Sequence, residues 1–364
     1  MTYRLKTNTL IAIAFAAAST APASAGELNI YNWADYFGET SVSSFEAETG
    51  TKVTLDYFDS NEVLETKLLT GASGYDVVFP AASNAEREFQ AGALLEIDAA
   101  RLSNYKNLNP DNLDALDKVP GGRKLGVPYT WGTIGIAYNP AMIAERLGDV
   151  DMASWDVLFD AKIAAKLADC GITVLDSPIE MTSVTMNYLG ADPYSNEDAD
   201  LEATSSTLKT AAESVLYFSN QKATTDLAAG DICMAVMYSG DAGIAQARAM
   251  DSDNGVEIIY AIPKEGTLMW IDLMAIPHDA KNVDQAYQFI DHMLRPEVIA
   301  EVSNTVFFAN ANSAADANVD PAILSDPGIY PDTETLERLF PDKSIGARAL
   351  RNRTRLWTAV KSGI

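Results

Sequence analysis

Carboxylates lie beside aromatic or apolar residues in four short segments of this 364-residue chain. A carboxylate neutralises a primary ammonium group and accepts its hydrogen bonds, while a nearby ring covers the attached methylenes and adds a cation–π attraction. Several such units on one chain favour the binding of a small linear polycation. The four segments are residues 33–36 (WADY), 178–180 (PIE), 238–241 (YSGD) and 270–272 (WID).

The N-terminus has the composition of a secretory signal peptide. Arg4 and Lys6 precede an almost wholly apolar stretch at residues 10–18, and the small residues 23–25 (ASA) form a cleavage site. The apolar stretch is too short to span a bilayer stably. We therefore predict a signal peptide at residues 1–25, cleavage after Ala25, and a protein that acts outside the cytoplasm. The alternative is an apolar N-terminal helix that stays in the fold.

The formal net charge of −25 at pH 7 limits the partners of this chain. Such an acidic balance disfavours nucleic acid and anionic membrane surfaces, and it mildly favours cationic ligands. A solubilising acidic surface explains the same excess, so the charge alone does not locate a site.

Cysteine and histidine are too scarce for most catalytic or metal-dependent chemistry. Cys170 and Cys233 are the two cysteines, and an even count in an exported protein suggests one disulfide, with two free buried thiols as the alternative. The two histidines, His278 and His292, are interpreted as structural or surface residues. The chain contains neither a Gly-x-Ser-x-Gly elbow nor a phosphate-binding Gly-rich loop. We therefore expect a non-enzymatic protein without a metal site or cofactor.

The first part of the chain alternates strands and helices, an order that indicates a mainly parallel sheet covered by helices. Ligands of such sheets bind beyond the carboxyl ends of the strands, and residues 33–36 and 80–83 follow two of those ends. The predicted strands are residues 28–33, 52–57 and 75–80, and the predicted helices are residues 39–48 and 61–69.

Two crossings divide the predicted fold into two lobes. Residues 127–138 contain two extended segments without a helix between them, which indicates that the chain passes into a second lobe. Residues 268–277 are extended again, which indicates its return, and the C-terminal tail is predicted to pack on the second lobe. The expected N-terminal lobe comprises residues 26–134 plus 268–314, and the expected C-terminal lobe comprises residues 135–267 plus 315–364.

Six short motifs, in the same order along the chain, resemble the periplasmic polyamine-binding proteins of bacterial ABC importers. The resemblance extends over residues 28–363 and is greatest to the putrescine-binding branch. The motifs are residues 30–33 (IYNW), 58–64 (FDSNEVL), 187–190 (NYLG), 230–233 (GDIC), 262–266 (IPKEG) and 308–312 (FANAN).

The resemblance implies an α/β fold of the type II periplasmic binding proteins, with two lobes that close on the ligand. Each lobe is then a mainly parallel sheet flanked by helices, and crossing strands form the hinge. It also implies a periplasmic, monomeric receptor that captures a polyamine and delivers it to the permease subunits of an ABC transporter. Cys170 and Cys233 fall where the putrescine-binding branch has its disulfide.

The family holds its ligand in an aromatic box with carboxylates at the amine ends, and ten residues of this chain match its binding positions. Several of the ten also have simpler interpretations, as aromatic residues of the core, acids at helix N-termini or a helix-capping serine. The ten residues are Trp33, Asp35, Tyr36, Ser83, Glu180, Tyr238, Asp241, Trp270, Asp272 and Phe308.

Departures from the family's pattern leave the preferred amine open. Ala34 replaces the usual Ser or Thr, Tyr238 stands where the putrescine-binding branch has Trp, and Phe308 replaces Tyr. Ser177 stands where the spermidine branch tends to have Asp, which favours a diamine. Putrescine is therefore the expected ligand, with spermidine, cadaverine and agmatine as alternatives. A polyamine sensor that docks on a signalling protein is the alternative to a transport role.

Overall fold

A three-stranded parallel sheet begins the chain in the computed structural model, which describes residues 26–363. Strand β1 (Glu27–Trp33) lies between β2 (Lys52–Phe58) and β3 (Val77–Val78), and β1 is parallel to both. Gly50 ends the first helix in the left-handed conformation, at φ 70°. The helices of this region are α1 (Ser41–Thr49), α2 (Asn61–Leu69), α3 (Ala82–Gln90) and α4 (Pro110–Leu116).

One long strand connects the two halves of the molecule. Strand β4 (Val127–Tyr138) pairs through its first half with β9 (Leu268–Met274), and through its second half with β7 (Met234–Tyr238) and β8 (Ile259–Ala261). All three pairings are antiparallel. The two extended segments predicted at residues 127–138 are therefore one continuous strand.

Strand β9 also contacts both halves of the molecule. Strand β9 pairs in parallel with β11 (Phe340–Pro341) at its start, and just beyond its end an antiparallel bridge joins Ala275 to Val78 of β3. The short strand β10 (Ala309–Asn310) pairs with β4. These contacts join the first parallel sheet to the crossing strands.

The second half is built on a sheet in the order β4-β7-β5-β6. Strand β5 (Ile172–Val174) is parallel to both β6 (Val215–Phe218) and β7. Both halves thus have a parallel core extended by antiparallel crossing strands, which confirms the predicted two-lobed α/β fold. The helices here are α5 (Pro140–Leu147), α6 (Asp156–Phe159), α7 (Ala161–Leu167), α8 (Pro178–Tyr188), α9 (Asp198–Ala212), α10 (Lys222–Ala229) and α11 (Ser239–Ser252).

The C-terminal helix packs against α8 and α9 through one buried cation. Arg353 is fully buried, and its guanidinium donates to Ser183 Oγ at 2.7 Å and to the carbonyl oxygens of Pro193 at 2.8 Å and Ser195 at 2.9 Å. Burial lowers its pKa to about 10. The helices after β9 are α12 (Val283–Met293), α13 (Pro296–Val306), α14 (Pro321–Leu324), α15 (Thr333–Arg338) and α16 (Ala347–Ser362).

A disulfide joins Cys170 to Cys233, as predicted, and closes a loop with a sequence separation of 63. A loop of that length corresponds to roughly 4 kcal/mol in the chain-entropy treatment of cross-links. The signal peptide predicted at residues 1–25 lies outside the described part of the chain. Within residues 26–363, no helix has both the length and the hydrophobicity that a membrane span requires.

Candidate functional site

A cleft lies where the carboxyl ends of the parallel strands meet the crossing strands. It encloses about 680 Å³ of free space, including the part that is open to solvent. Its walls come from both halves of the molecule: the loop after β1, the starts of α8 and α11, and strand β9. Nine of the ten predicted site residues line it, namely Trp33, Asp35, Tyr36, Glu180, Tyr238, Asp241, Trp270, Asp272 and Phe308.

Four aromatic rings form one continuous side of the cleft, here called the ring wall. Tyr36 meets Phe308 with centroids 5.6 Å apart, Phe308 meets Trp270 at 5.0 Å, and Trp270 meets Tyr238 at 5.9 Å. Every pair is edge-to-face, the arrangement that the ring quadrupoles favour. The ring wall can therefore cover an alkyl chain along its length.

Strand pairing fixes the central ring of this wall. Gly132 of β4 pairs with Trp270 of β9, and a Cβ atom added at Gly132 would lie 2.7 Å from Trp270 Cζ2 and 2.7 Å from Ser239 Oγ. Position 132 therefore has room only for glycine, because the indole ring and the start of α11 both pack on it.

Two carboxyl groups form what we call the inner end of the cleft, where Asp272 is buried and Glu180 is half-buried. Tyr36 donates its hydroxyl to Asp272 Oδ2 at 2.8 Å, and Tyr238 donates to Glu180 Oε2 at 2.7 Å. Tyr36 is in turn hydrogen-bonded to the hydroxyl of Thr130. Each acid of the inner end is thus held by a tyrosine of the ring wall.

Burial raises the pKa of Asp272 to about 8 and that of Glu180 to about 7. The hydrogen bonds from the tyrosines oppose these shifts, and repulsion from Asp342 adds to both. Within residues 26–363, neither acid forms a salt bridge. A buried acid without a positive partner is costly to ionise, so the inner end is prepared for an external cation.

Two further acids form the outer end, nearer to solvent. Asp241 lies in the first turn of α11 and is half-buried, and burial raises its pKa to about 7. Asp35 is exposed, and its backbone is left-handed at φ 53°, a conformation that Asp tolerates better than most residues. Arg248 Nη2 lies 3.5 Å from Asp35 Oδ2, and its charge partly offsets the rise in the pKa of Asp241.

Trp33 closes one side of the cleft through a fixed ring. Its indole N–H donates to the carbonyl oxygen of Phe79 at 3.1 Å, and the ring packs on Phe58 with centroids 4.6 Å apart. It also borders a smaller neighbouring compartment behind Glu180. Trp33 is therefore one of the residues that the cleft and that compartment share.

Ser83 is the predicted site residue that the structure does not place in the cleft. It is buried in the neighbouring compartment, where its hydroxyl bonds to Asp342 and lies 3.3 Å from Asn84 Oδ1. Its partner Asp342 is not among the residues that line the cleft. Arg87 and Ser177 line the same compartment.

Sequence reasoning missed four polar residues that line the cleft. Two follow β2 and two follow β6, which are positions at the carboxyl ends of parallel strands where a search for binding loops would have found them. Asn220 fixes its loop by accepting the Asp176 N–H at 2.8 Å and reaches the Asp59 carbonyl oxygen at 3.5 Å. The four residues are Asp59, Asn61, Asn220 and Gln221.

The acids of the cleft do not form a metal centre. In the part of the chain that the structure describes, no group of three or more His, Cys, Asp or Glu side chains is arranged to hold a metal ion. The arrangement instead places an acid at each terminus of the ring wall, Asp272 at Tyr36 and Glu180 at Tyr238, which suits a linear ligand with a cation at each end.

Residues 40–331 match the sequence profile of the bacterial extracellular solute-binding proteins. This chain belongs to that family. As a solute-binding protein it is a periplasmic or extracellular binding component rather than an enzyme. The predicted location outside the cytoplasm and the predicted non-enzymatic role are therefore confirmed.

Known relatives of this solute-binding protein are similar over nearly their whole length. A putrescine-binding periplasmic protein of Pseudomonas aeruginosa is 41% identical, over 98% of this chain and 98% of the relative. A putrescine-binding periplasmic protein of Escherichia coli is 43% identical, over 92% of this chain and 91% of the relative. A solved structure, the substrate-binding protein of a spermidine/putrescine ABC transporter from Streptococcus pneumoniae, is 27% identical with a TM-score of 0.76, covering 93% of this chain and 99% of that one.

Proposed function

We propose that this protein captures a polyamine in the periplasm, putrescine in preference to others, and delivers it to an ABC permease. The relatives described as putrescine-binding periplasmic proteins support this ligand class. Nine of the ten site residues enter the proposal as ligand contacts, and Ser83 instead contacts Asp342 in the neighbouring compartment.

One observation carries the proposal: a wall of four rings connects two acids without a positive partner among the described residues, Asp272 at Tyr36 and Glu180 at Tyr238. A diamine matches this pattern because its methylenes can lie along the rings while each ammonium reaches one acid. The bound charge would hold Asp272 and Glu180 ionised, so their pKa values would fall when the ligand binds.

The energies of these contacts show how much each end of the ligand must contribute. A hydrogen bond to a charged group is worth about 1.5–3 kcal/mol, and each buried methylene adds about 0.8 kcal/mol. Association and ordering offset about 4–15 kcal/mol of that total. Each ammonium must therefore donate more than one hydrogen bond for the complex to be stable.

Capture and release follow from the two-lobed design. In the proposal, residues 26–134 plus 268–314 move as one lobe, residues 135–267 plus 315–364 move as the other, and β4 and β9 form the hinge. Closure removes water from the cleft, which strengthens every contact between an ammonium and a carboxylate. We also propose that the signal peptide, residues 1–25, is cleaved off after Ala25. The mass of the exported protein tests this cleavage.

The proposal is tested by calorimetric titration of the exported protein. Putrescine, cadaverine, agmatine, spermidine and spermine are each titrated into the same folded sample. Putrescine is expected to bind with the highest affinity, because the two relatives are described as putrescine-binding. Absence of heat with every amine, in protein whose folding is verified by circular dichroism, would refute the function.

A further inference from the structure

The cleft adjoins the smaller compartment behind Glu180, which encloses about 480 Å³ of free space, including the part that is open to solvent. Tyr238 and Glu180, at one terminus of the ring wall, line both spaces, whereas Tyr36 and Asp272, at the other terminus, line only the cleft. A chain that follows the rings past Tyr238 therefore reaches the compartment next. The two spaces share five residues, namely Trp33, Asn61, Glu180, Asn220 and Tyr238.

Asp342 brings a carboxylate to this compartment from the C-terminal tail. Its backbone N–H donates to the carbonyl oxygen of Met269 at 2.8 Å, which holds it beside strand β9, the strand that carries Trp270. The Ser83 hydroxyl donates to Oδ2, and Oδ1 accepts no hydrogen bond from residues 26–363. Burial raises the pKa of Asp342, and the hydrogen bond from Ser83 and the charge of Arg87 oppose the rise. One carboxylate oxygen is thus available as an acceptor.

The compartment has more acidic groups than its cations neutralise. Arg87 lines it but binds Glu65 at 2.7 Å, and Asp176 is paired with Lys361 at 2.7 Å. An added positive charge is therefore attracted to the remaining acids. Three lining acids have no ion pair in the described part of the chain, namely Glu62, Glu180 and Asp342.

We propose that Asp342 binds the third ammonium of a triamine whose other two charged groups lie at Asp272 and Glu180. This role rests on the proposed polyamine function. The aminobutyl part of spermidine has the same alkyl chain as putrescine, so it can lie along the ring wall in the same way. Its aminopropyl arm then continues past Tyr238 into the compartment. Ser177 also lines the compartment but carries no charge, so the acid is supplied by the tail.

The mouth of the cleft is a weaker place for the third charge. The side chain of Asp35 is 77% exposed, and its Oδ2 atom lies 3.5 Å from Nη2 of Arg248. Water screens a charge there and Arg248 repels it, whereas Asp342 is more enclosed and has no cation partner among the described residues. Binding in the compartment does not reverse the expected preference for putrescine, because ordering the added arm and removing its charge from water offset part of the gain.

The test compares putrescine with spermidine in the exported protein and in the Asp342→Asn variant, by calorimetry at one pH. Spermidine affinity is expected to fall about tenfold or more, because the third ammonium loses a charged acceptor. Putrescine affinity should change about twofold or less, because Asp342 attracts the bound diamine but also repels the two acids that hold it. Equal changes in both affinities, or no change in either, would overturn the proposal.

An acetylated triamine separates charge from ligand length. N1-acetylspermidine keeps the aminobutyl part and its two charges, but an amide replaces the ammonium at the end of the aminopropyl arm. Its affinity should therefore change about twofold or less on Asp342→Asn. A loss as large as that of spermidine would mean that Asp342 does not meet the terminal charge, and would contradict the proposal.

Two variants control for structural effects, with folding verified by circular dichroism and thermal unfolding. Ser83→Ala removes the hydrogen bond to Asp342 but keeps the charge, so spermidine affinity should change about threefold or less. A loss equal to that of Asp342→Asn would show that the hydrogen bond matters and not the charge, and would refute the role. Asp198→Asn removes an exposed charge outside both spaces and should leave the ratio of the two affinities unchanged.

A third variant tests the mouth of the cleft directly. If the ratio of spermidine to putrescine affinity falls on Asp35→Asn and does not respond to Asp342→Asn, the third charge lies at the mouth and the proposal is wrong. If no polyamine binds to the unaltered protein, the proposed function fails and the role of Asp342 fails with it. If putrescine binds normally but the ratio ignores Asp342, only the role of Asp342 fails.

Discussion

The two ends of the cleft use the same chemical group in different surroundings. At the inner end, Asp272 and Glu180 are held by tyrosine hydroxyls and have no positive partner among the described residues. At the outer end, Asp35 is exposed and already paired with Arg248. A charge in low-dielectric surroundings interacts more strongly than one in water. We therefore expect Asp272 and Glu180 to contribute more to the affinity than Asp35.

The largest expected effect comes from Asp272→Asn. The change removes a charge from the inner end but keeps the shape of the side chain, so putrescine affinity should fall by roughly tenfold to a hundredfold in calorimetry. Asp198→Asn, at an exposed position in the first turn of α9, is the matched control. An unchanged affinity would show that Asp272 does not bind the ligand and that the inner end does not supply most of the affinity.

The next effect is the pH dependence of binding. Because the pKa of Asp272 is about 8 and that of Glu180 about 7 in the ligand-free protein, ionising them for the ligand costs free energy at low pH. Putrescine affinity should rise about tenfold or more between pH 6 and pH 8, and Asp272→Asn should flatten the rise. A profile that is flat over this range in the unaltered protein would show that the inner end is already ionised.

The same shifts predict how the ligand-free protein responds to pH. An acid whose folded pKa is raised binds more protons in the folded state than in the unfolded state between the two pKa values. The free energy of unfolding should therefore decrease as the pH rises from about 4 to about 8, and by less in Asp272→Asn. Thermal unfolding without ligand across this range measures the slope, and a slope of opposite sign would contradict the burial of Asp272.

Asp241→Asn should have a smaller effect than Asp272→Asn. Asp241 is half-buried, and Arg248 already neutralises part of the field at the outer end. Putrescine affinity is expected to fall about three- to tenfold, because partly exposed charges contribute less. Equal losses from the two variants would mean that both ends contribute alike to affinity.

Ser83→Ala should have the smallest effect. Its hydroxyl bonds to Asp342 outside the cleft, so a ligand on the ring wall does not reach it. The affinity for putrescine should change about twofold or less. A tenfold loss in the same titration would mean that the ligand extends into the neighbouring compartment.

Sequence reasoning predicted the elements with local signals. The helix at Asn61–Leu69 has a serine cap and a glycine beyond its end, and the strand at Lys52–Phe58 is rich in β-branched and aromatic residues. The predicted third strand at residues 75–80 is shorter because only Val77 and Val78 pair with β1, while the bridge from Val78 to Ala275 depends on a residue almost 200 positions away. Long-range pairings of this kind leave no local pattern.

The same limit applies to the cleft. Asp272 was predicted from a local signal, because it directly follows an aromatic and an apolar residue in the segment 270–272. Asp342, which repels both inner acids, lies in the C-terminal tail, where nothing in the neighbouring residues indicates a role at the cleft. The pairing of Arg248 with Asp35 joins residues from different halves of the fold, so only the assembled structure reveals it.

The glycine at position 132 has a mechanical consequence. It stands where β4 changes partner from β9 to β7, and the indole of Trp270 rests directly on it. If the lobes swing apart about this point, the backbone rotation is transmitted to the indole without any intervening side chain. Opening of the lobes and displacement of the indole from the ring wall would then occur together.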